Sequence, residues 1–84
     1  MERYLVESTH TAKDCQQVVG QFVIYGHIMN FDWGCQVGVH TGWAIVEAES
    51  ESMAKLTVPP RVRTKARAIR LSRFTPQTIE AQHK

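Results

Sequence analysis

Cysteine is scarce in this 84-residue chain: Cys15 and Cys35 can close one bridge at most, which excludes a disulfide-dense scaffold. The two stand twenty positions apart with no Cys-x-x-Cys pair, and the histidines form neither His-x-His nor His-x-x-x-His, so no diagnostic metal-ligand spacing is present. No apolar run approaches the roughly 20 residues that span a bilayer. Glu2, Arg3 and Glu7 interrupt the start of the chain, where a secretory leader needs an apolar core. These absences predict a cytoplasmic protein with reduced thiols, no membrane partner, no metal and no cofactor. A phosphate-binding loop is also missing, because Gly34, Gly38 and Gly42 recur every fourth residue in a β-prone stretch and open no helix.

Acids are nearly absent from one part of the chain. Residues 1–52 carry two cations against seven acids, a net −5, whereas residues 53–84 carry eight cations against Glu80 alone, a net +7. The whole-chain +2 conceals that split. A hydrophobic content of 43% with 21% charged residues describes a folded chain rather than a disordered one. A domain this small buries proportionately little surface and commonly needs a staple or a partner subunit. Two cysteines do not supply that staple, which points to a second copy. Residues 1–76 read as one domain and 77–84 as a frayed tail that includes His83.

Tyr4 to Thr9 is a β-rich run. Thr11, three residues before Asp14, offers a capping-box-like helix start. Cys15, Val18, Val19 and Phe22 then fall on one helical face, with Gly26 as the stop. His27–Trp33 and Val37–Ala48 are β-prone and joined by Gly34-Cys35-Gln36, which predicts a hairpin. Glu49-Ser50-Glu51-Ser52 offers an N-cap serine for a second short helix that Pro59-Pro60 ends, residues 61–66 form a linking turn, and Ala68–Phe74 alternates as a final strand. The order β-α-β-β-α-β predicts a ferredoxin-like α+β fold, a four-stranded antiparallel sheet with both helices on one face.

A turn centred on Gln36 would set Trp33 opposite Val39, Asp32 opposite His40 and Asn30 opposite Gly42. One sheet face would then be bulky (Met29, Phe31, Trp33, Val37, Val39, Trp43) and the other small, and neither would be a fully solvated one. Two buried faces in one short chain predict a homodimer packed sheet to sheet. The run Gly42-Trp43-Ala44-Ile45-Val46-Glu47-Ala48-Glu49-Ser50, the short helix, Val58-Pro59-Pro60 and the strand ending Phe74-Thr75-Pro76 resemble the dimeric α+β barrel superfamily, with muconolactone-isomerase-like proteins and small uncharacterised domains of similar length nearest in layout. That resemblance implies a homodimer with clefts for small organic molecules, and some such domains bind metal. No catalytic residue of that family maps onto this chain.

The residues suggest several chemistries. Asp32 opposite His40 would fix an imidazole tautomer for general-base work, unless Asp32 caps the turn and His40 packs on Trp43 or faces solvent. Glu7, in a central strand, becomes a proton-transfer group if buried, or else pairs with an arginine of the last strand such as Arg70. Phe31, Trp33 and Trp43 would wall a cleft, and Arg61, Arg63 and Lys65 would clamp an anionic small molecule. His10, His27, His40, Cys35, Asp32 and Glu7 supply every ligand type a transition metal needs, without a spacing that joins them. Cys15 reads as helix core, and Cys35 lacks a neighbouring cation to activate it. The function expected is therefore small-molecule binding or an enzyme-like role for Glu7, Asp32 and His40. The alternatives are a non-catalytic structural or regulatory dimer, or RNA binding through the basic half. Against RNA, the strands show no Lys/Arg-Gly-Phe signature.

Overall fold

Side-chain alternation decides which side of each long strand is buried, and it does so plainly in the computed structural model, which describes residues 1–77. β1 (Glu2–Thr9) buries Tyr4, Val6 and Ser8, and leaves Arg3, Leu5 and Glu7 on its other side. β3 (Thr41–Ala48) pairs antiparallel with it, setting Tyr4, Val6 and Ser8 beside Val46, Ala44 and Gly42. β4 (Ala66–Leu71) flanks β1 on the other edge, with Ala68 beside Val6 and Ala66 beside Ser8. Beside Val6 and Ser8, both neighbours of β1 present small residues (Ala44, Gly42, Ala68 and Ala66), which leaves depth there for α1 (Cys15–Ile24) and its Phe22. With the two-residue β2 (Asp32–Trp33), the antiparallel sheet has the order β2-β3-β1-β4. The expected α+β class and four antiparallel strands are present. No helix among the described residues is long and apolar enough to cross a membrane.

The local signals operate as their chemistry predicts. The Thr11 hydroxyl accepts the Asp14 amide at 3.2 Å ahead of α1, and Gly26 takes φ +76° after it, a conformation that favours glycine. Val18 and Phe22 are buried four residues apart. Phe22 meets Phe31 and Trp33 edge-on, with ring centroids at 4.9 and 4.8 Å, contacts that contribute about 0.5–1.5 kcal/mol each beyond area burial. The Ser50 hydroxyl accepts the Met53 amide at 3.2 Å to open α2 (Glu51–Ala54), which tightens into a 3-10 turn at Lys55–Thr57 before the buried Val58 and Pro59.

The hairpin departs from its expected register. Asp32 pairs with Trp43 and Trp33 with Gly42, three positions away from the Trp33–Val39 alignment. A larger turn than Gly34-Cys35-Gln36 causes this. The amides of Val37 and Val39 both donate to the Gly34 carbonyl, Gly38 adopts φ +86°, and the Gly34 amide reaches the Thr41 carbonyl at 3.0 Å. Strand pairing therefore resumes only at residue 41. Residues 28–30 form a 3-10 turn, and Met29 and Val37 project into solvent at 90% and 82% exposure instead of joining a sheet face. The last strand is likewise shifted, beginning at Ala66 and ending at Leu71. The expected tail lies outside the described residues from 78 onward, His83 included.

The charge split resolves in part within one chain. Glu7 pairs with Arg67 at 2.8 Å and Glu2 with Arg70 at 3.3 Å, both across the β1–β4 edge. Glu7 thus pairs with an arginine of the last strand as expected, but it is Arg67; Arg70 stands beside Tyr4 in the ladder.

Candidate metal centre

The sheet register creates a histidine pair. Thr9 and Thr41 are the last paired residues of β1 and β3, and the His10 amide continues the ladder by donating to the His40 carbonyl at 2.9 Å. Alternation then sends both imidazoles toward the helix side, with ring centroids 5.5 Å apart. Four residues separate His10 from Cys15, the first residue of α1. The 3-10 turn Cys35–Val37, held by the Gly34 carbonyl, brings Cys35 up from the other side until its sulfur lies 3.5 Å from His10 Nε2.

The outcome is a cluster of His10, Cys15, Cys35 and His40, whose four ligand atoms all lie within 4.8 Å of one another and are all half-buried. A tetrahedral zinc site, with Zn–S near 2.3 Å and Zn–N near 2.0–2.1 Å, needs ligand atoms separated by roughly 3.3–3.8 Å. Shifts of well under an ångström in each side chain close the difference. Nδ1 of His10 and Nδ1 of His40 are both buried without a hydrogen-bond partner, which is costly for polar atoms unless something else engages the rings. Burial, then the neighbouring His40, holds the His10 imidazole below its usual range, so it is neutral and able to ligate at pH 7. Burial, then the hydrogen bond with Cys15, pushes the Cys35 thiol up. The pair has no countercharge of its own, and a divalent cation would supply it. Two thiolates, two neutral imidazoles and Zn²⁺ sum to zero charge, the most readily buried total.

The residues singled out in the sequence are dispersed. His40 joins the cluster, but Asp32 is exposed on β2 beside Trp43, so the expected Asp32–His40 pairing does not form. Glu7 sits on the outer sheet face, where it accepts Arg67 Nε at 2.8 Å and Trp43 Nε1 at 3.2 Å. Arg67 holds its carboxyl below the usual range in spite of partial desolvation, with Trp43 assisting, so Glu7 is ionised rather than poised as a neutral acid. Phe31 and Trp33 pack with Phe22, whereas Trp43 lies on the opposite face, so the three aromatics do not wall one cleft. Arg63 Nε is spent on the carbonyls of Lys55 and Val58, at 3.2 and 3.0 Å. Arg61 lines a cleft beside α1. His27 stays outside the cluster.

Cys15 is the member of the cluster that the sequence placed elsewhere, as helix core. A signal for it exists: His10-x4-Cys15 and Cys35-x4-His40 are mirror images, set nineteen residues apart. An antiparallel ladder alone would set His10 opposite His40 and leave the cysteines five positions along; the turn into α1 and the 35–37 turn fold Cys15 and Cys35 back to the histidines. Comparison with known proteins finds no matching family model, no matching curated protein and no matching solved structure, so the four-residue cluster itself carries the functional reading.

Proposed function

We propose that this chain is a small α+β metal-binding domain whose His10, Cys15, Cys35 and His40 hold one Zn²⁺. The observation that carries this is the convergence of four ligand atoms from four separate segments to within 4.8 Å. An S₂N₂ donor set in tetrahedral reach suits zinc by softness and geometry. Four protein ligands leave no open position for a water nucleophile, so the role is structural: the ion ties the end of β1, the start of α1, the 35–37 turn and the approach to β3. Loading the reduced protein with Co²⁺ tests this. One equivalent should give tetrahedral d–d bands and thiolate charge transfer, and Zn²⁺ should displace it. Both signatures should vanish in Cys15→Ser/Cys35→Ser. Octahedral spectra, or unchanged spectra in that variant, would refute the assignment.

A second reading concerns the outer sheet face. There Leu5 lies between Ile45 and Ile69, which are 63% and 37% exposed, and forms an apolar row across three strands. On one side of the row lie Trp43, Glu7 and Arg67, and on the other Glu47, Arg3 and Leu71. A two-fold axis along the row would stack isoleucine on isoleucine and set Glu7 of one copy over Arg3 of the other, a self-complementary arrangement. This supports a homodimer of the dimeric α+β barrel kind. The strand order, with β1 and β4 adjacent, supports a ferredoxin-like description of its subunit. Sedimentation should give a dimer that Ile45→Lys converts to monomer; a wild-type monomer at high micromolar concentration would exclude it.

A further inference from the structure

Three cations of the basic half have partners among the described residues. Arg67 and Arg70 hold Glu7 and Glu2, and Arg63 holds two carbonyls. Arg61 and Lys65 have neither an ion pair nor a side-chain hydrogen bond among the described residues, and both line a cleft of about 350 Å³ between α1 and the link that precedes β4. That volume falls in the range of small-ligand sites. The facing wall carries Asp14, Gln17 and Gln21, which the helical repeat sets along one face of α1, and Asp14 likewise lacks a cationic partner. Val18 and Val62 add apolar surface, and His10 closes one end.

Two cations without counterions, gathered in a concave site, repel one another and focus a positive potential inside it. One carboxylate across the cleft does not neutralise both. The charge-balanced occupant carries two anionic groups for Arg61 and Lys65, one ammonium for Asp14, and carbonyl or amide atoms for the glutamines. We infer that this cleft binds a small zwitterionic diacid, for which an acidic amino acid is the simplest chemical class. One carboxylate meets the Arg61 guanidinium through paired N–H donors and the other meets the Lys65 ammonium. The site is separate from the metal reading, although His10 belongs to both, and its test runs on zinc-loaded and on chelated protein.

The probe is L-glutamate, followed by amide chemical shifts in ¹H–¹⁵N spectra. Saturable binding is expected, with shifts concentrated at Gln17, Gln21 and residues 61–65. Arg61→Ala and Lys65→Ala, both at exposed positions that leave folding intact, should each weaken it by roughly tenfold or more, the loss of one charge-assisted hydrogen bond. Glutarate, which keeps the two carboxylates and lacks the ammonium, should bind more weakly than L-glutamate and be indifferent to Asp14→Asn. Shifts that fail to saturate, or that persist unchanged in Arg61→Ala/Lys65→Ala, overturn the site. Equal affinities for glutarate and L-glutamate overturn the zwitterion assignment.

Discussion

Chelating zinc from the reduced protein should lower its melting temperature by a large but survivable amount. A domain of 84 residues, at roughly 0.05–0.15 kcal/mol per residue, has a total stability of about 4–13 kcal/mol. A ligand that binds only the folded state at a hundred times its dissociation constant adds about 2.7 kcal/mol. In a domain of this size each kcal/mol moves the melting temperature by roughly 4–8 °C, so chelation should cost about 10–20 °C. The largest fully buried side chains, Phe22, Val6, Val58, Pro59 and Ser8, exclude all four proposed ligands, and for that reason the chelated chain keeps its sheet and core. The assay is a pair of far-UV circular dichroism melts with reductant, one in a zinc buffer and one with chelator. Cys15→Ala and His40→Ala should each abolish most of the zinc-dependent increment. An identical melting temperature in both buffers would refute the reasoning, as would an increment that survives in Cys15→Ala/Cys35→Ala.

Three further outcomes follow from the packing and the charges. Gly42→Ala should destabilise the fold by about 1–3 kcal/mol, because its new Cβ would lie 2.6 Å from Cζ3 of Trp33; a urea midpoint shift with altered near-UV dichroism checks this. Phe22→Ala should cost about 3–5 kcal/mol, enough to leave the chain largely unfolded at the low end of its stability range, while Phe22→Leu retains the fold; chemical denaturation compares the two. Glu7→Gln should cost about 1 kcal/mol at pH 7, modest because Arg67 is 68% exposed. The folded carboxyl sits below its ordinary 4.5, so its stabilisation is complete above that value and fades as pH falls through the folded pKa. Wild-type and Glu7→Gln denaturation curves should therefore converge at acid pH, and a constant gap would contradict the ion pair.

What the residues determine alone is whatever depends on near neighbours. Tyr4, Val6 and Ser8 alternate inward because strand geometry has a period of two, and Ser50 caps α2 because its hydroxyl reaches an amide three residues on. The adjacency of β1 and β4 follows from element order, so a Glu7–arginine pair was foreseeable, though not that its partner is Arg67. The 34–39 turn was not foreseeable. Its hydrogen bonds form only as strand pairing closes, and a shift of three positions parted Asp32 from His40. The same closure carried Cys35 to His10 and Cys15, residues distant in the chain whose meeting requires the β1–β3 ladder and α1 together. Scarcity of cysteine truly excluded a disulfide scaffold. Whether the remaining two thiols stand apart or join two histidines is a matter of long-range pairing, which only the tertiary structure decides.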